Sequence, residues 1–228
     1  MNRNINKFLK FLSRGLGYLL INLTITLIFF AFFANLSLQE TDKLKENLQN
    51  YILEQSNITK EEFNTLKSLC EQNPNQEGCE FFKQNPIDNL ATKINSYKNY
   101  FSIILFIIIS LFSFGFIFIF LGSNNFLDAI HKISLNLSLQ SFFAAFCYKF
   151  LPNILNSLLN TNYFIELAKN VSQEEINKVL SIILNWLARP LIKTFNLAIL
   201  LGIIFLIITI ILSIVKKKNI NKLKSSNK

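Results

Sequence analysis

Long apolar blocks alternate with polar segments along the chain, and three of these blocks carry no charge over the length of a membrane span. They are residues 15–39, 99–127 and 194–215, with 25, 29 and 22 residues. A hydrocarbon core about 30 Å thick needs about 20 apolar residues of helix. Fully buried helices of soluble proteins can be as apolar, but three such blocks in 228 residues favour membrane spans.

A fourth block is shorter and more polar. Only 16 uncharged residues lie between Lys132 and Lys149, and five of them are Ser, Asn or Gln. Cytoplasmic flanks are rich in Lys and Arg, so two basic termini on that side require an even number of spans. We therefore expect a cytoplasmic turn at 122–130 and four transmembrane helices, at 16–36, 101–121, 131–151 and 195–215.

The segments between these helices complete the predicted topology. Residues 1–15 form a cytoplasmic basic N-terminus and residues 216–228 a cytoplasmic basic tail. Residues 37–100 form an external helical segment, and residues 152–194 an external amphipathic helical segment. The expected fold class is all-α: a polytopic integral membrane protein of the cell membrane, with a small external helical insert. An apolar run of about 20 residues favours an uncleaved first helix over a signal peptide, whose core has about 7–15.

The charge distribution identifies the expected partners. The net charge is +9, and ten of the 23 Lys and Arg residues flank the first and last spans with no acid among them. This pattern is a topology signal, so we expect contact with the lipid bilayer and with anionic lipid headgroups at the basic termini, and no nucleic acid. Residues 37–100 carry seven lysines and ten acids, the opposite bias, which suits an exported segment that contacts a protein partner.

The polar segments contain helix signals. Leu44, Leu48, Tyr51 and Ile52 recur at helical spacing, and Thr59 with Glu62 and Ser172 with Glu175 form two capping boxes. Pro86 can open a helix that we expect to continue unbroken into the second span. Apolar residues from 176 to 187 predict an amphipathic helix that either lies flat on the membrane or packs on other external helices. Pro190 is expected to end or kink it.

Cys70 and Cys79 bracket a turn-rich loop on the predicted external side. An oxidising compartment favours a disulfide between them, and a metal site would need further Cys or His ligands that the neighbouring sequence lacks. Cys147 is expected to pack as a small apolar core residue.

Four polar residues inside the spans are candidates for intramembrane contacts: Asn22, Thr26, Asn136 and Gln140. Each helix carries two of them at i, i+4 spacing, which puts the pair on one face. Interhelical hydrogen bonds are the favoured interpretation, and a polar path for a solute is the alternative. Asn57 and Asn170 stand in glycosylation sequons on the predicted external side.

The sequence lacks the motifs of common catalytic and cofactor sites. One histidine, His131, cannot supply a bis-histidine haem or a zincin helix, and no Walker A, GxSxG, CxxC or GxGxxG motif occurs. We expect no catalytic residue, cofactor or metal. Asp128, His131 and Lys132 at i, i+3, i+4 fit a solvated helix turn better than a proton relay. The favoured function is a non-enzymatic interaction or scaffold component, and the alternative is a small solute transporter or pore with polar faces on helices 1 and 3.

The layout also resembles uncharacterised four-helix membrane proteins of small-genome archaea. The resemblance rests on the order of anchor, cysteine-containing insert, helical hairpin and basic-tailed last span, together with "RGLGYLL" at 14–20 and "SLCEQNPNQEGC" at 68–79. It implies a four-helix membrane fold and carries no activity.

Overall fold

A computed structural model describes residues 3–73, 79, 86–159 and 172–226, and all the secondary structure in this part of the chain is helical. The all-α prediction is therefore confirmed. The helices are α1 (Arg3–Gln39), α2 (Thr41–Ser56), α3 (Lys60–Gln72), α4 (Pro86–Ser96), α5 (Phe101–Gly122), α6 (Phe126–Leu159) and α7 (Gln173–Ser226), with a 3-10 turn (Tyr97–Tyr100) between α4 and α5.

Three of these helical runs are long and apolar enough to cross a membrane: Asn6–Gln39, Ala91–Gly122 and Glu174–Lys218. They contain the first, second and fourth predicted spans. The chain is thus an all-helical protein with the composition of a membrane protein. The remaining long helix, α6, contains the predicted third span, residues 131–151, which carries more polar residues than the other three predicted spans.

The chain divides into two compact units. Unit 1 comprises residues 1–33, 101–151 and 191–228, and unit 2 comprises residues 34–100 and 152–190. The predicted boundaries between transmembrane and external segments lie at residues 36/37, 100/101, 151/152 and 194/195. Each division between the units lies within four residues of one of these positions.

Contacts inside unit 1 fix the relative directions of its helices. Ser13 of α1 donates to the Phe118 carbonyl of α5 at 2.6 Å, and Gly17 meets Gly115, so these helices are antiparallel. Contacts from Ser134 to Phe205 and from Ser138 to Gly202 make α6 and α7 antiparallel as well. Asn22 with Asn136, followed by Phe33 with Tyr148, make α1 and α6 parallel. Successive passes through unit 1 therefore alternate in direction.

The core of unit 1 combines branched apolar side chains with small residues. Its buried members are Ile21, Ile25, Phe29, Ile119, Ala129, Ile133, Leu137, Ala145 and Ala198. At Gly17 a Cβ atom would lie 2.6 Å from Ile119 Cγ1 and 2.9 Å from the Gly115 carbonyl oxygen. Glycine is therefore required where the backbones of α1 and α5 approach each other.

Unit 2 contains the short helices α2, α3 and α4. In α2 the predicted face is confirmed, since Leu44 is buried and Leu48, Tyr51 and Ile52 are half-buried. Thr59 and Glu62 form the predicted capping box at the start of α3. Asn57, in the turn before α3, has φ 52° and ψ 30°, a left-handed conformation that asparagine tolerates better than most residues.

The N-terminal part of α7 packs inside unit 2. The predicted Ser172–Glu175 capping box precedes it, and its apolar residues from 176 to 187 are half-buried. Trp186 Nε1 donates to the Ser37 carbonyl at 3.1 Å, and Arg189 pairs with Glu40 at 2.7 Å. These contacts match the packing alternative for the amphipathic helix.

One helix boundary differs from the sequence predictions, and two prolines lie inside helices. The 3-10 turn Tyr97–Tyr100 interrupts the expected unbroken helix before α5. Pro190 lies inside α7 and does not end it, and α6 continues past Pro152 to Leu159. A proline removes one backbone donor, and helices of these lengths retain enough other hydrogen bonds to continue through it.

Candidate functional site

The densest polar cluster in unit 1 lies at the start of α6, around Asp128. Asn125 precedes the helix, and its Oδ1 accepts a hydrogen bond from the Asp128 backbone N–H at 2.8 Å, an N-cap contact. The Asp128 side chain is buried and accepts from Lys132 Nζ on the next turn and from Lys216 Nζ of α7 at 2.7 Å. One carboxylate thus links α6 to α7 through two residues that are 88 positions apart in the sequence.

The electrostatics of this cluster follow from its composition. Asp128 is the sole acidic residue in the sequence of unit 1. Burial by itself would raise the pKa of Asp128, but hydrogen bonds and charge attraction from Lys132 and Lys216 outweigh it and hold the pKa well below its ordinary value. Asp128 is therefore ionised at neutral pH. The arrangement fixes the charge, which suits a structural clamp better than a proton relay.

A column of hydroxyl contacts continues from Asp128 along the α6–α7 interface. His131 Nε2 lies 2.8 Å from Ser213 Oγ, and Thr209 Oγ1 lies 2.9 Å from Ser134 Oγ. Ser134 Oγ donates to the Phe205 carbonyl at 2.8 Å, and Ser138 Oγ to the Gly202 carbonyl at 3.0 Å. Small hydroxyl residues thereby let the two helices approach closely and satisfy their own polar groups.

The His131–Ser213 pair has the residue types of a nucleophile and its base, but its geometry differs. Ser213 Oγ also has the Thr209 carbonyl as an acceptor at 2.9 Å, and which atom donates in the contact with His131 Nε2 depends on the histidine tautomer. The carboxylate of Asp128 binds two lysines. A serine nucleophile needs a base that accepts its proton and a third group that orients the base. This cluster instead has the organisation of a helix–helix contact.

The four predicted intramembrane residues do not form a single polar surface. Asn136 Nδ2 donates to Asn22 Oδ1 at 2.6 Å, which joins α6 to α1. Thr26 is exposed, and its hydroxyl donates to the Asn22 carbonyl of its own helix at 3.0 Å. Gln140 is half-buried. The asparagine pair is thus an interhelical contact, whereas Thr26 faces outward.

Sequence reasoning missed the partners of the α6 residues. The sequence prediction places Lys216 in the basic tail. It places Ser213, Thr209 and Gly202 in the last apolar span. The serines at 134, 138 and 141 follow helical spacing and are buried, so a small polar stripe was the signal that could have found this interface. It does not reveal which helix covers the stripe.

The two cysteines of the predicted external segment lie together in unit 2. Their sulfur atoms are at bonding distance, 1.96 Å, with the Cα atoms 5.3 Å apart. Cys79 is buried. Cys147 is exposed, so its prediction as a core residue is wrong: it points away from the packed side of α6. Among the described residues no group of three or more His, Cys, Asp or Glu side chains is arranged to hold a metal ion.

Of the two candidate glycosylation sites, Asn57 lies among the described residues. Asn57 is exposed at the end of α2, and Thr59 of the same sequon donates and accepts hydrogen bonds with Glu62. These contacts lower the pKa of the Glu62 carboxyl, with the backbone hydrogen bond from Thr59 as the largest cause. Asn170 lies outside the described residues.

No protein-family model matches the chain, and no curated protein or solved structure is significantly similar to it. Its function therefore has to be inferred from its own residues.

Proposed function

We propose that this chain is a four-span membrane protein with both termini in the cytoplasm, and that it presents unit 2 on the external side as a non-enzymatic interaction or scaffold surface. The observation that carries the proposal is the orientation of α6. Its serines at 134, 138 and 141 point into unit 1 beside Ile133 and Leu137, and four of its five phenylalanines are exposed.

This orientation explains how α6 can cross a bilayer despite its polar sequence. Ser134, Ser138 and Ser141 are at most 3% exposed, whereas Leu139, Phe143 and Phe146 are at least 60% exposed. A soluble helix would place its apolar face inward. In a membrane, small and polar residues mediate helix contacts while lipid covers the apolar ones. The polar residues within 131–151 are therefore compatible with a span.

The alternating directions of the helices support the even number of spans. The N-terminal part of α1, the start of α6 and the end of α7 meet at one end of unit 1, through contacts of Arg14, Asp128 and Lys216. The basic segments at both ends of the chain adjoin this end. An excess of Lys and Arg marks the cytoplasmic side, so this end faces the cytoplasm.

The polar groups of unit 1 favour an interaction protein over a transporter. The Asn22–Asn136 hydrogen bond and the hydroxyl contacts of Ser134, Ser138 and Thr209 occupy these groups in helix pairing. A solute pathway would need polar groups that face a passage. Unit 2 in turn offers apolar side chains on α3, Leu66 and Leu69, which are 43% and 46% exposed.

Photo-crosslinking in native membranes tests the interaction surface. A photoreactive amino acid at Leu66 or Leu69 should give a discrete adduct, and the partner identified in it should bind the purified full chain. Leu139, exposed in unit 1, is the matched control and should crosslink to lipid. Solute flux is also measured in proteoliposomes. Flux that is abolished by Asn136→Leu and Gln140→Leu but preserved by Asn196→Leu would contradict this function and support transport instead.

A further inference from the structure

The end of unit 1 that carries Asp128 is also the most basic part of the molecule. Residues 1–14, 122–132 and 216–228 contain eleven Lys and Arg residues and one acid. That acid, Asp128, is buried between Lys132 and Lys216. The exposed surface of this end therefore presents cations without a competing carboxylate. We name its exposed lysines, Lys7, Lys10, Lys217 and Lys218, the basic-end surface.

Apolar side chains accompany the lysines on α1. Phe8 and Phe11 are 63% and 75% exposed, and Leu9 and Leu12 are close to half exposed. At a rise of about 1.5 Å per residue, Leu12 and Phe11 lie roughly 6 and 8 Å beyond residue 16, where the predicted span begins, and Phe8 lies roughly 12 Å beyond it. The headgroup regions extend about 5–8 Å beyond each side of the hydrocarbon core. Leu12 and Phe11 therefore reach headgroup depth.

The combination identifies the chemistry of the partner. Exposed lysines alone would suit any polyanion, but alternating Phe, Leu and Lys residues match a surface that is apolar beneath and anionic above. We infer that the basic-end surface binds anionic lipid headgroups, with Lys7 and Lys10 on one side and Lys217 and Lys218 on the other. The inference rests on the proposed contact of this end with a membrane face, and it does not depend on the partner of unit 2.

Asp128 contributes to this surface by fixing its two halves. The Asp128–Lys216 contact holds the end of α7 against the start of α6, and Arg14 of α1 donates to the Gly122 carbonyl at the end of α5. Both basic segments thus emerge from helices that are tied together at the same end. A cluster of cations on a fixed support attracts phosphate groups more strongly than the same charges on separate flexible tails.

Lipid selectivity of the full chain in vesicles provides the test. The chain is reconstituted in phosphatidylcholine with trace spin-labelled phosphatidylglycerol or phosphatidylcholine, and the motionally restricted fraction of each probe is measured. One lysine near an anionic surface contributes roughly fivefold to association. We expect a preference for phosphatidylglycerol of about fivefold or more, which falls as salt is raised to about 1 M because the Debye length shortens to about 3 Å.

The variant combining Lys7→Gln, Lys10→Gln, Lys217→Gln and Lys218→Gln should lose this preference. The control variant, Lys43→Gln, Lys60→Gln, Lys67→Gln and Lys93→Gln, removes the same charge from unit 2 and should retain it. An unchanged preference in the first variant, equal loss in both, or displacement of the lipid probe by soluble polyphosphate at constant ionic strength would each overturn the inference. Labelling of residue 225, described below, reports on the topology separately.

Discussion

Asp128 connects the chemistry of single residues to the packing of unit 1. Its carboxylate is buried, both of its contacts are lysines, and no other acid in the sequence of unit 1 could replace it. Removing one partner of a buried ion pair leaves the remaining charges without compensation. The residue is thus a point where a single uncharged substitution should affect two helices.

Asp128→Asn is expected to lower the free energy of unfolding at pH 7 by about 1–3 kcal/mol. This loss is smaller than the roughly 3–5 kcal/mol for breaking a fully buried pair, because Lys216 is partly exposed and solvent screens it. Thermal unfolding in detergent, followed by circular dichroism, measures the change. Lys217→Gln removes an exposed neighbouring charge and should leave the Tm unchanged. An equal decrease in the Tm of both variants would indicate a general effect of charge.

The same contact predicts a pH dependence with a definite sign. The pKa of folded Asp128 is depressed, so its contribution to stability is fully present above its unfolded value, about 3.9. The contribution declines as the pH falls below about 4 towards the folded pKa. The Tm difference between the parent and Asp128→Asn should therefore be constant from pH 5 to 8 and shrink in acid. A difference that already shrinks between pH 7 and 6 would contradict the assignment.

The Cys70–Cys79 pair gives a further prediction at the scale of single residues. A disulfide that closes about ten residues contributes at most about 2.5–3 kcal/mol in the chain-entropy model, so Cys70→Ser with Cys79→Ser should weaken unit 2 while membrane insertion continues. In unreduced, denatured protein only Cys147 should take up an alkylating reagent. Mass spectrometry should detect two further adducts after reduction, and three adducts without reduction would show that the bond is absent.

At the scale of elements, the pairing of α1 with α5 depends on glycine at position 17. Gly17→Ala would place a methyl group 2.6 Å from Ile119 Cγ1 and 2.8 Å from its backbone nitrogen. Because backbone atoms cannot yield as a side chain can, the substitution should destabilise unit 1 by about 1–3 kcal/mol. Unfolding in detergent measures the effect as a lower Tm.

Gly15→Ala is the matched control, two residues away in the same helix. Among the described residues, no atom beyond the adjoining residues and the backbone of its own helix lies within 4 Å of a Cβ at Gly15, and alanine is favoured over glycine in helices by about 0.5–1 kcal/mol. The control should be neutral or slightly stabilising. If both substitutions behave alike, the close approach of α1 and α5 is not what requires glycine at position 17.

Local sequence motifs predicted the presence of the helices better than the residues at which the helices end. The two capping boxes were predictable because the Thr59–Glu62 and Ser172–Glu175 hydrogen bonds each involve residues three apart. Of the two predicted outcomes at Pro190, an end or a kink, the helix end is excluded: proline disfavours a helix only locally, and packing can carry the helix through this fully buried side chain.

At the scale of the whole molecule, block hydrophobicity was sufficient to predict an all-helical membrane protein. The segments that it delimits coincide closely with the division into two units. The pairing of the helices was beyond sequence reasoning. Asn22 with Asn136 and Asp128 with Lys216 are separated by 114 and 88 residues, and an apolar sequence gives no indication of which neighbour covers which face. Within the candidate site, therefore, residue types could be predicted and contacts could not.

The number of spans is the central claim, and cysteine labelling tests it most directly. Single cysteines are introduced at Ser181, which is exposed in unit 2, and at Ser225 in the tail, in a Cys147→Ser background that retains the Cys70–Cys79 pair. A membrane-impermeant maleimide is applied to intact and to permeabilised cells. The background protein without an added cysteine serves as the control and should remain unlabelled.

The two possible counts give opposite results. With four spans, Ser181→Cys is labelled in intact cells and Ser225→Cys only after permeabilisation. If α6 does not cross the membrane, the chain has three spans, and the two positions exchange their behaviour. We predict the first result, because the serines of α6 are buried in unit 1 and most of its phenylalanines point outward. Labelling of Ser225→Cys in intact cells, with Ser181→Cys protected, would contradict the proposed architecture.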